Sequence, residues 1–258
     1  MRPFSTFPRE RLARIRVIAT DVDDTVTAGG KIPSEAVAGF EALGRAGITV
    51  ALVTGRPAGW AQALAGYLPA VRTAVAENGL VAFAGDGQQT NLGPERGVEF
   101  PNRLSENANR VRQAYALTAT PDDVFRLFER AFVRPPGFDA AALAASGQLV
   151  DPDFEVIASS IHIHVRPAGW GKADGLLAAL RPIDPAAAAA PDDLVLFVGD
   201  SRNDRPLFAR LRHTGVGVRN VTRFLAELGE ERPAFVTETE SAQGFTEVVR
   251  AVLAARRG

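Results

Sequence analysis

The chain is 258 residues long, 46% hydrophobic, and carries a formal net charge of −1. That length supports a sizeable core in one large or two modest domains, and the near-neutral balance excludes the basic footprint of a nucleic-acid-binding protein. Cysteine is absent, which excludes disulfides, thiol nucleophiles and thiolate metal sites.

Residues 1–16 carry arginines but no apolar core of the signal-peptide kind, and no apolar run is long enough to span a bilayer. A soluble cytoplasmic protein is the expectation. From residue 16 to 76, strand and helix alternate. Val17–Thr20 is a short apolar strand that ends abruptly in Asp21-Val22-Asp23-Asp24-Thr25. Ser34 is placed to cap a helix with Val37, Phe40 and Leu43 at helical spacing, and Gly47 to stop it. Residues 48–53 form a continuous apolar strand, as expected when both faces are covered. Pro57 opens a helix through Tyr67. Val75-Ala76 closes a third strand before Glu77-Asn78-Gly79, a tight turn in which Asn-Gly supplies positive φ. This βαβαβ series predicts a parallel sheet and an α/β, Rossmann-like core.

From about residue 80 to 166 the texture changes. Residues 80–83 read as a strand and Asp86-Gly87 as a turn. Residues 103–117 and 121–132 read as two helices. Residues 154–165 read as a strand in which Ile161, Ile163 and Val165 alternate with His162 and His164. This is an α+β insert, and the organisation expected is core over 1–82, insert over 83–167 and core again over 168–258. After it the α/β rhythm returns, with helices over 171–180 and 203–211 and strands over 194–198 and 216–218. Asn220 caps a further helix that stops at Gly229, residues 235–237 form a strand, and 245–255 a final helix. The Pro- and Ala-rich stretch 181–193 reads as a surface connection.

Four segments of the α/β part end in polar residues at the C-terminal edge of the sheet, where open α/β sheets bind ligands. They are Asp21, Asp23 and Thr25; Thr54-Gly55-Arg56; Lys172 at the start of a helix; and Gly199-Asp200-Ser201-Arg202-Asn203-Asp204. Like charges buried together ask for a compensating cation. Acids, a hydroxyl and an ammonium on one rim are the inventory of Mg²⁺-assisted phosphoryl transfer. Hard oxygens hold Mg²⁺, one carboxylate attacks phosphorus, and a second moves the proton. The hydroxyl and ammonium neutralise the phosphoryl oxygens.

In these segments the chain resembles the haloacid dehalogenase (HAD) superfamily of phosphohydrolases. The four segments match its four motifs in order, and the resemblance covers the whole chain because the insert lies between motifs two and three. In that family this placement is called a C2 cap, common among Cof-type, sucrose-phosphatase-like and mannosyl-phosphoglycerate-phosphatase-like enzymes. One departure is Asp24, where the family most often has glycine. The resemblance implies that Asp21 is the nucleophile and a Mg²⁺ ligand. It implies that Asp23 is the general acid and then base, with its backbone carbonyl on the metal. Asp200 is the third protein ligand, and Asn203 and Asp204 support the metal site. Thr54 and Lys172 hold the phosphoryl group, with Gly55, Arg56 and Asn203 beside the substrate. The implied activity is a Mg²⁺-dependent phosphomonoester hydrolase working through an aspartyl phosphate on a small phosphorylated metabolite, a sugar phosphate first.

Other readings compete. A phosphomutase or phosphotransferase would use the same scaffold, and a non-catalytic phosphometabolite-binding protein would keep only the pocket. A receiver-type phosphoacceptor module is disfavoured because Asp200 follows the lysine and the insert splits the fold. His162 and His164 fall on one strand face. With no third ligand evident, they read as a cap face able to meet substrate rather than as a metal site.

Overall fold

The computed structural model describes residues 1–68, 70–159 and 161–257. Twelve strands occur among them: β1 (Arg2–Pro3), β2 (Val17–Thr20), β3 (Thr49–Val53), β4 (Val71–Ala76), β5 (Val81–Ala84), β6 (Gln89–Asn91), β7 (Arg130–Val133), β8 (Phe154–Ala158), β9 (His162–Pro167), β10 (Val195–Gly199), β11 (Gly215–Gly217) and β12 (Phe235–Val236). Nine form one sheet in the order β1-β12-β11-β10-β2-β3-β4-β5-β6, and β7-β9-β8 form a second. Every pairing from β1 to β4 in the large sheet is parallel, and β5 and β6 add antiparallel to the β4 edge. The chain runs outward from β2 through β3 to β4, then returns to β10 on the other side of β2. The order of the parallel strands therefore reverses between β2 and β10, and a crevice opens there beyond the strand ends.

The strands are apolar throughout because both faces are covered. On one face Ile18, Leu52 and Val198 pack with Phe40 and with Phe245, Val248 and Val252 of the helix Ser241–Arg256. On the other, Val17, Ala19, Val53 and Phe197 pack with Leu176 and Phe208. Period-two alternation along β2 thus feeds both cores, each large buried side chain contributing about 1.5–3 kcal/mol.

The expected junction between residues 82 and 83 falls inside β5, which is hydrogen-bonded to β4; the large sheet runs on to Asn91 before the chain leaves it. The insert that follows has a core of its own around Val111, Phe132, Ile163 and Val165, packed beneath the helix Phe100–Ala114. The helix expected over 121–132 is replaced by a short turn, Asp123–Phe125, and strand β7. The buried Glu77 carboxylate takes the backbone N–H groups of Leu127, Phe128 and Glu129, and Asp123 takes that of Ala131, so these donors leave the helical pattern. The expected strand over 154–165 is a hairpin, β8 against β9, and its residue 160 lies outside the described residues.

Three local readings also change. Pro33, not Ser34, precedes the helix Ser34–Arg45, and the Ser34 hydroxyl makes no cap bond. The stretch 181–193 contains the short helices Pro185–Ala189 and Pro191–Leu194, with Ala187 buried against the core. Asn220 lies within the 3₁₀ turn Arg219–Phe224 and sends its side chain to the site described below. Among the described residues no helix is long and apolar enough to cross a membrane.

The turn after β4 and the passage from the insert back into the core lie side by side. Gly79 (φ 109°) faces Gly171, whose carbonyl oxygen would stand 2.2 Å from an added Cβ. A Cβ on Gly175 would meet Gly79 Cα at 2.5 Å. Only glycine permits this approach. The Trp170 indole N–H donates to Gly79 O at 2.8 Å, and Arg166 donates to Asn78 O at 3.0 Å, which ties the two passages together.

Candidate active site

The crevice is built from strand ends. The Asp21 N–H donates to Val198 O at 2.9 Å, continuing the β2–β10 ladder one residue past the strand. This sets the Asp21 carboxylate over the reversal point. Its loop then turns sharply at Asp24, which adopts φ 54° and donates its N–H to Thr27 Oγ1 at 2.9 Å. The left-handed backbone explains why glycine suits this position; an aspartate adopts it at modest cost.

Across the crevice, β10 delivers Asp200. Asp204 folds back in the next turn, where its Oδ2 accepts the N–H groups of Asp200 and Ser201 at 3.0 and 3.2 Å. One carboxylate oxygen each from Asp21, Asp200 and Asp204 lies within 4.8 Å of the others, and all three residues are buried. Lys172, 1% exposed at the start of the helix Lys172–Leu180, donates to Asp21 Oδ1 at 2.6 Å and to Asp204 Oδ1 at 2.7 Å. Thr25 Oγ1 approaches Asp200 at 3.4 Å, and the Asn220 amide donates to Asp200 Oδ2 at 3.2 Å and to Asp24 O at 2.9 Å. The sequence marked Asn220 only as a helix cap. Its proximity to Asp200 depends on β11 lying next to β10.

Three buried carboxylates face one ammonium. Burial pushes the Asp21 carboxyl up to about 8, with Asp204 and Asp23 adding to the effect and Lys172 opposing it. Asp200 is likewise pushed well above the usual carboxylate range by burial, and then by Asp21 and Asp204. Despite complete burial, Lys172 is held above its ordinary value by Asp204 and Asp21, so it stays charged. A pocket of hard oxygens with excess negative charge fits a divalent cation such as Mg²⁺.

Asp23 stands beside this cluster and is not one of its three members. Arg56 holds it through two donors, Nε at 2.8 Å and Nη2 at 2.6 Å, and donates through Nη1 to Asp122 of the insert at 3.2 Å. The guanidinium carbon also lies 5.2 Å from the Trp60 ring centroid. Thr54 is fully buried, and its Oγ1 accepts the Arg56 N–H at 3.0 Å. Ser201 donates to Asn203 Oδ1 at 2.6 Å, and Asn203 donates to Asn78 Oδ1 at 3.3 Å.

The insert closes the crevice. A cavity of about 20 Å³ remains, walled by Asp21, Asp23, Gly55, Asp200 and Asn203 from the core and by Ser159, His162 and His164 from the hairpin β8–β9. It has room for about one water. Thr54 and Lys172 do not line it. His162 and His164 thus face the acids, and their rings meet edge to face with centroids 5.9 Å apart. Next to them Glu129 is fully buried, paired with Arg126, with Nδ1 of His164 at 2.9 Å and with the Asn78 amide at 3.1 Å. The predicted Glu77-Asn78-Gly79 turn is therefore also a junction. Glu77 anchors the insert backbone and Asn78 touches Glu129 and Asn203.

A family profile described as haloacid dehalogenase-like hydrolase matches residues 18–92, the stretch carrying Asp21, Asp23 and Thr54. A phosphoglycolate phosphatase from Halorubrum lacusprofundi is 32% identical over 193 residues, 74% of this chain and 79% of the relative. The chain belongs to the haloacid dehalogenase-like hydrolases. A phosphoglycolate phosphatase from Aeropyrum pernix is 27% identical over 94% of this chain and 95% of its own length. The fold of this hydrolase also matches the crystal structure of Thermoplasma acidophilum 0175, with a TM-score of 0.70 and 21% identity over 92% of this chain and 98% of that one.

Proposed function

We propose that this hydrolase is a Mg²⁺-dependent phosphatase that cleaves a small phosphorylated metabolite through an aspartyl phosphate. The observation that carries the reading is the cluster of Asp21, Asp200 and Asp204 within 4.8 Å, with Lys172 bonded to two of its members. Asp21, Asp200 and Asp204 would hold the ion, and the bound ion supplies positive charge against the phosphoryl oxygens. Asp21 attacks phosphorus as the bond to the leaving oxygen breaks, and protonated Asp23 gives that oxygen its proton. Asp23, now ionised, then takes a proton from water as the water attacks the aspartyl phosphate. The bond from phosphorus to Asp21 breaks, releasing phosphate. Lys172 keeps Asp21 oriented and spreads positive charge toward the transferring group.

In this reading the segment between β6 and the end of β9 is the cap. Substrate enters with the cap displaced, since the closed cavity holds about one water. Sugar phosphates are candidate substrates, and phosphoglycolate, named in five relatives, stands beside them. The test is phosphate release from a panel of phosphorylated metabolites with Mg²⁺, comparing the wild type with Asp21→Asn. Release that vanishes in the variant supports the reading. Release that persists unchanged in Asp21→Asn removes Asp21 as nucleophile.

A further inference from the structure

His164 has no part in the chemistry just described, yet it is 1% exposed and on the cavity wall. Its Nδ1 lies 2.9 Å from Glu129 Oε1, while Nε2 is buried without a hydrogen-bond partner. Burial opposes the charge of Glu129, but the guanidinium groups of Arg126 and Arg166 and the hydrogen bond from His164 hold its carboxyl below the ordinary range. Glu129 is therefore ionised and can only accept. The proton between the two residues sits on His164 Nδ1. Burial, with Arg126 and Arg166, outweighs the pull of Glu129 and holds the ring below its ordinary value, which disfavours a second proton. The imidazole then presents a bare lone pair at Nε2 on the side away from Glu129. Its neighbour His162 is also held neutral, pushed down to about 4 by burial first and His164 second. The cap residues that wall the cavity, Ser159, Ile161, His162 and His164, thus offer the leaving group a hydrogen-bond acceptor and no cation.

We propose that His164 is a specificity-determining residue that reads the leaving group through Nε2, with Glu129 as the positioning residue that fixes its tautomer, so that the preferred substrates carry a hydroxyl on the alcohol that departs. This rests on the phosphatase reading and narrows it. A hydroxyl donates to Nε2, whereas a carboxylate at the same place meets a lone pair. An alkyl group leaves Nε2 buried and unpaired, and sites built to pair a substrate hydroxyl discriminate strongly against analogues that lack it. Among candidate substrates, polyol and sugar phosphates are favoured over phosphoglycolate.

Three phosphates with leaving groups of matched length test this at neutral pH with Mg²⁺: 2-hydroxyethyl phosphate, n-propyl phosphate and phosphoglycolate. The wild type is expected to favour the hydroxyethyl ester over each of the others in kcat/KM by about 10–100-fold. In His164→Phe both ratios should collapse toward one. In Glu129→Gln the imidazole can flip its tautomer and offer N–H, so phosphoglycolate should gain on the hydroxyethyl ester by about tenfold or more. Ratios between substrates on one protein are insensitive to a general loss of active molecules, which a merely structural role would cause. A wild type that prefers phosphoglycolate or treats all three alike overturns the proposal without any variant. Unmoved ratios in His164→Phe overturn the contact, and unmoved ratios in Glu129→Gln overturn the positioning role. In each of these cases phosphate is still released and the phosphatase reading stands. Absence of release from all three and from the wider panel instead removes both.

Discussion

Arg56 grips Asp23 with two guanidinium nitrogens, at 2.6 and 2.8 Å, and with a third reaches Asp122 in the insert at 3.2 Å. The side chain proposed to move the proton is therefore tied to the cap by one residue. A bidentate arginine fixes the plane of a carboxylate. Closing the cap and setting Asp23 become a single event. Arg56→Ala is expected to lower kcat by about 10–100-fold, the equivalent of losing a charge-assisted hydrogen bond of about 1.5–3 kcal/mol. Arg56→Lys should recover only part, because an ammonium cannot span both oxygens. Steady-state kinetics on the three proteins checks this, and wild-type turnover in Arg56→Ala would detach the guanidinium from the mechanism.

Lys172 is the single ammonium among three buried carboxylates. Lys172→Ala should reduce turnover by about 10²–10³-fold, the scale of losing a preorganised charge partner. Substrate titration should place the loss mainly in kcat. A variant close to wild type would show that Lys172 only balances charge in the resting protein.

Metal removal gives a structural readout beside activity. A ligand that binds only the folded state at one hundred times its Kd stabilises it by about 2.7 kcal/mol. Mg²⁺ should raise the melting temperature of wild type, EDTA should reverse the rise, and Asp200→Ala should abolish it. Equal Mg²⁺-dependent shifts in wild type and Asp200→Ala would place the ion elsewhere.

The pair Glu129 and His164 makes the fold sensitive to acid. In the folded chain His164 is held below its ordinary value of 6.5, so on acidification the unfolded chain takes this proton first. The contribution is fully present above pH 6.5 and declines as pH falls below it. His162, pushed down to about 4, acts in the same direction. Glu77, pushed up to about 7 by burial and Glu129, acts in the opposite one. Stability relative to a variant isolates the His164 share. From about pH 6.5 downward, wild type should lose stability against His164→Gln with a slope approaching 1.4 kcal/mol per pH unit. Chemical denaturation at stepped pH measures it, and parallel curves would mean that His164 titrates alike in both states. Glu129, also held below its ordinary range, acts in the same direction as His164 at lower pH.

Gly175 has no space for a methyl group, since an added Cβ would stand 2.5 Å from Gly79 Cα and 2.6 Å from its carbonyl oxygen. Gly175→Ala must push the helix Lys172–Leu180 away from the turn at Gly79 and should cost about 1–3 kcal/mol. The same substitution at Gly66, where nothing lies within 4 Å of an added Cβ, should be stabilising or neutral. Thermal unfolding of the two variants compares them, and equal melting temperatures would mean that this contact yields freely.

The α/β core was legible because its signals are local and mutually consistent. β2, β3 and β10 are short apolar runs, each followed by polar residues. Parallel strands covered by helices are apolar on both faces, so such runs stand out in the chain. Alternation with helical spacing then places all their C-terminal ends on one edge. Asp21, Thr54 and Asp200 could thus be gathered from the one-dimensional pattern, and Lys172 from its place at the next helix start. The insert was less legible. Residues 121–132 have helical spacing, yet Glu77, about fifty residues upstream, captures three of their N–H groups. Such a long-range bond leaves no periodic trace.

By itself, the sequence determined that a parallel α/β core carries an acid-rich rim split by an α+β insert. That follows from hydrophobic period, turn chemistry and the order of polar residues after strands, all of which act over a few residues. Only the tertiary structure decided which of those residues meet. Arg56 turned out to hold Asp23, Asn220 to touch Asp200, and Glu129 to pair with one nitrogen of His164 while the other is left without a partner. Each contact joins elements that are distant along the chain and is made by a side chain whose type fits several surroundings. The partner is chosen by how the sheets and helices stack, and no local pattern encodes that.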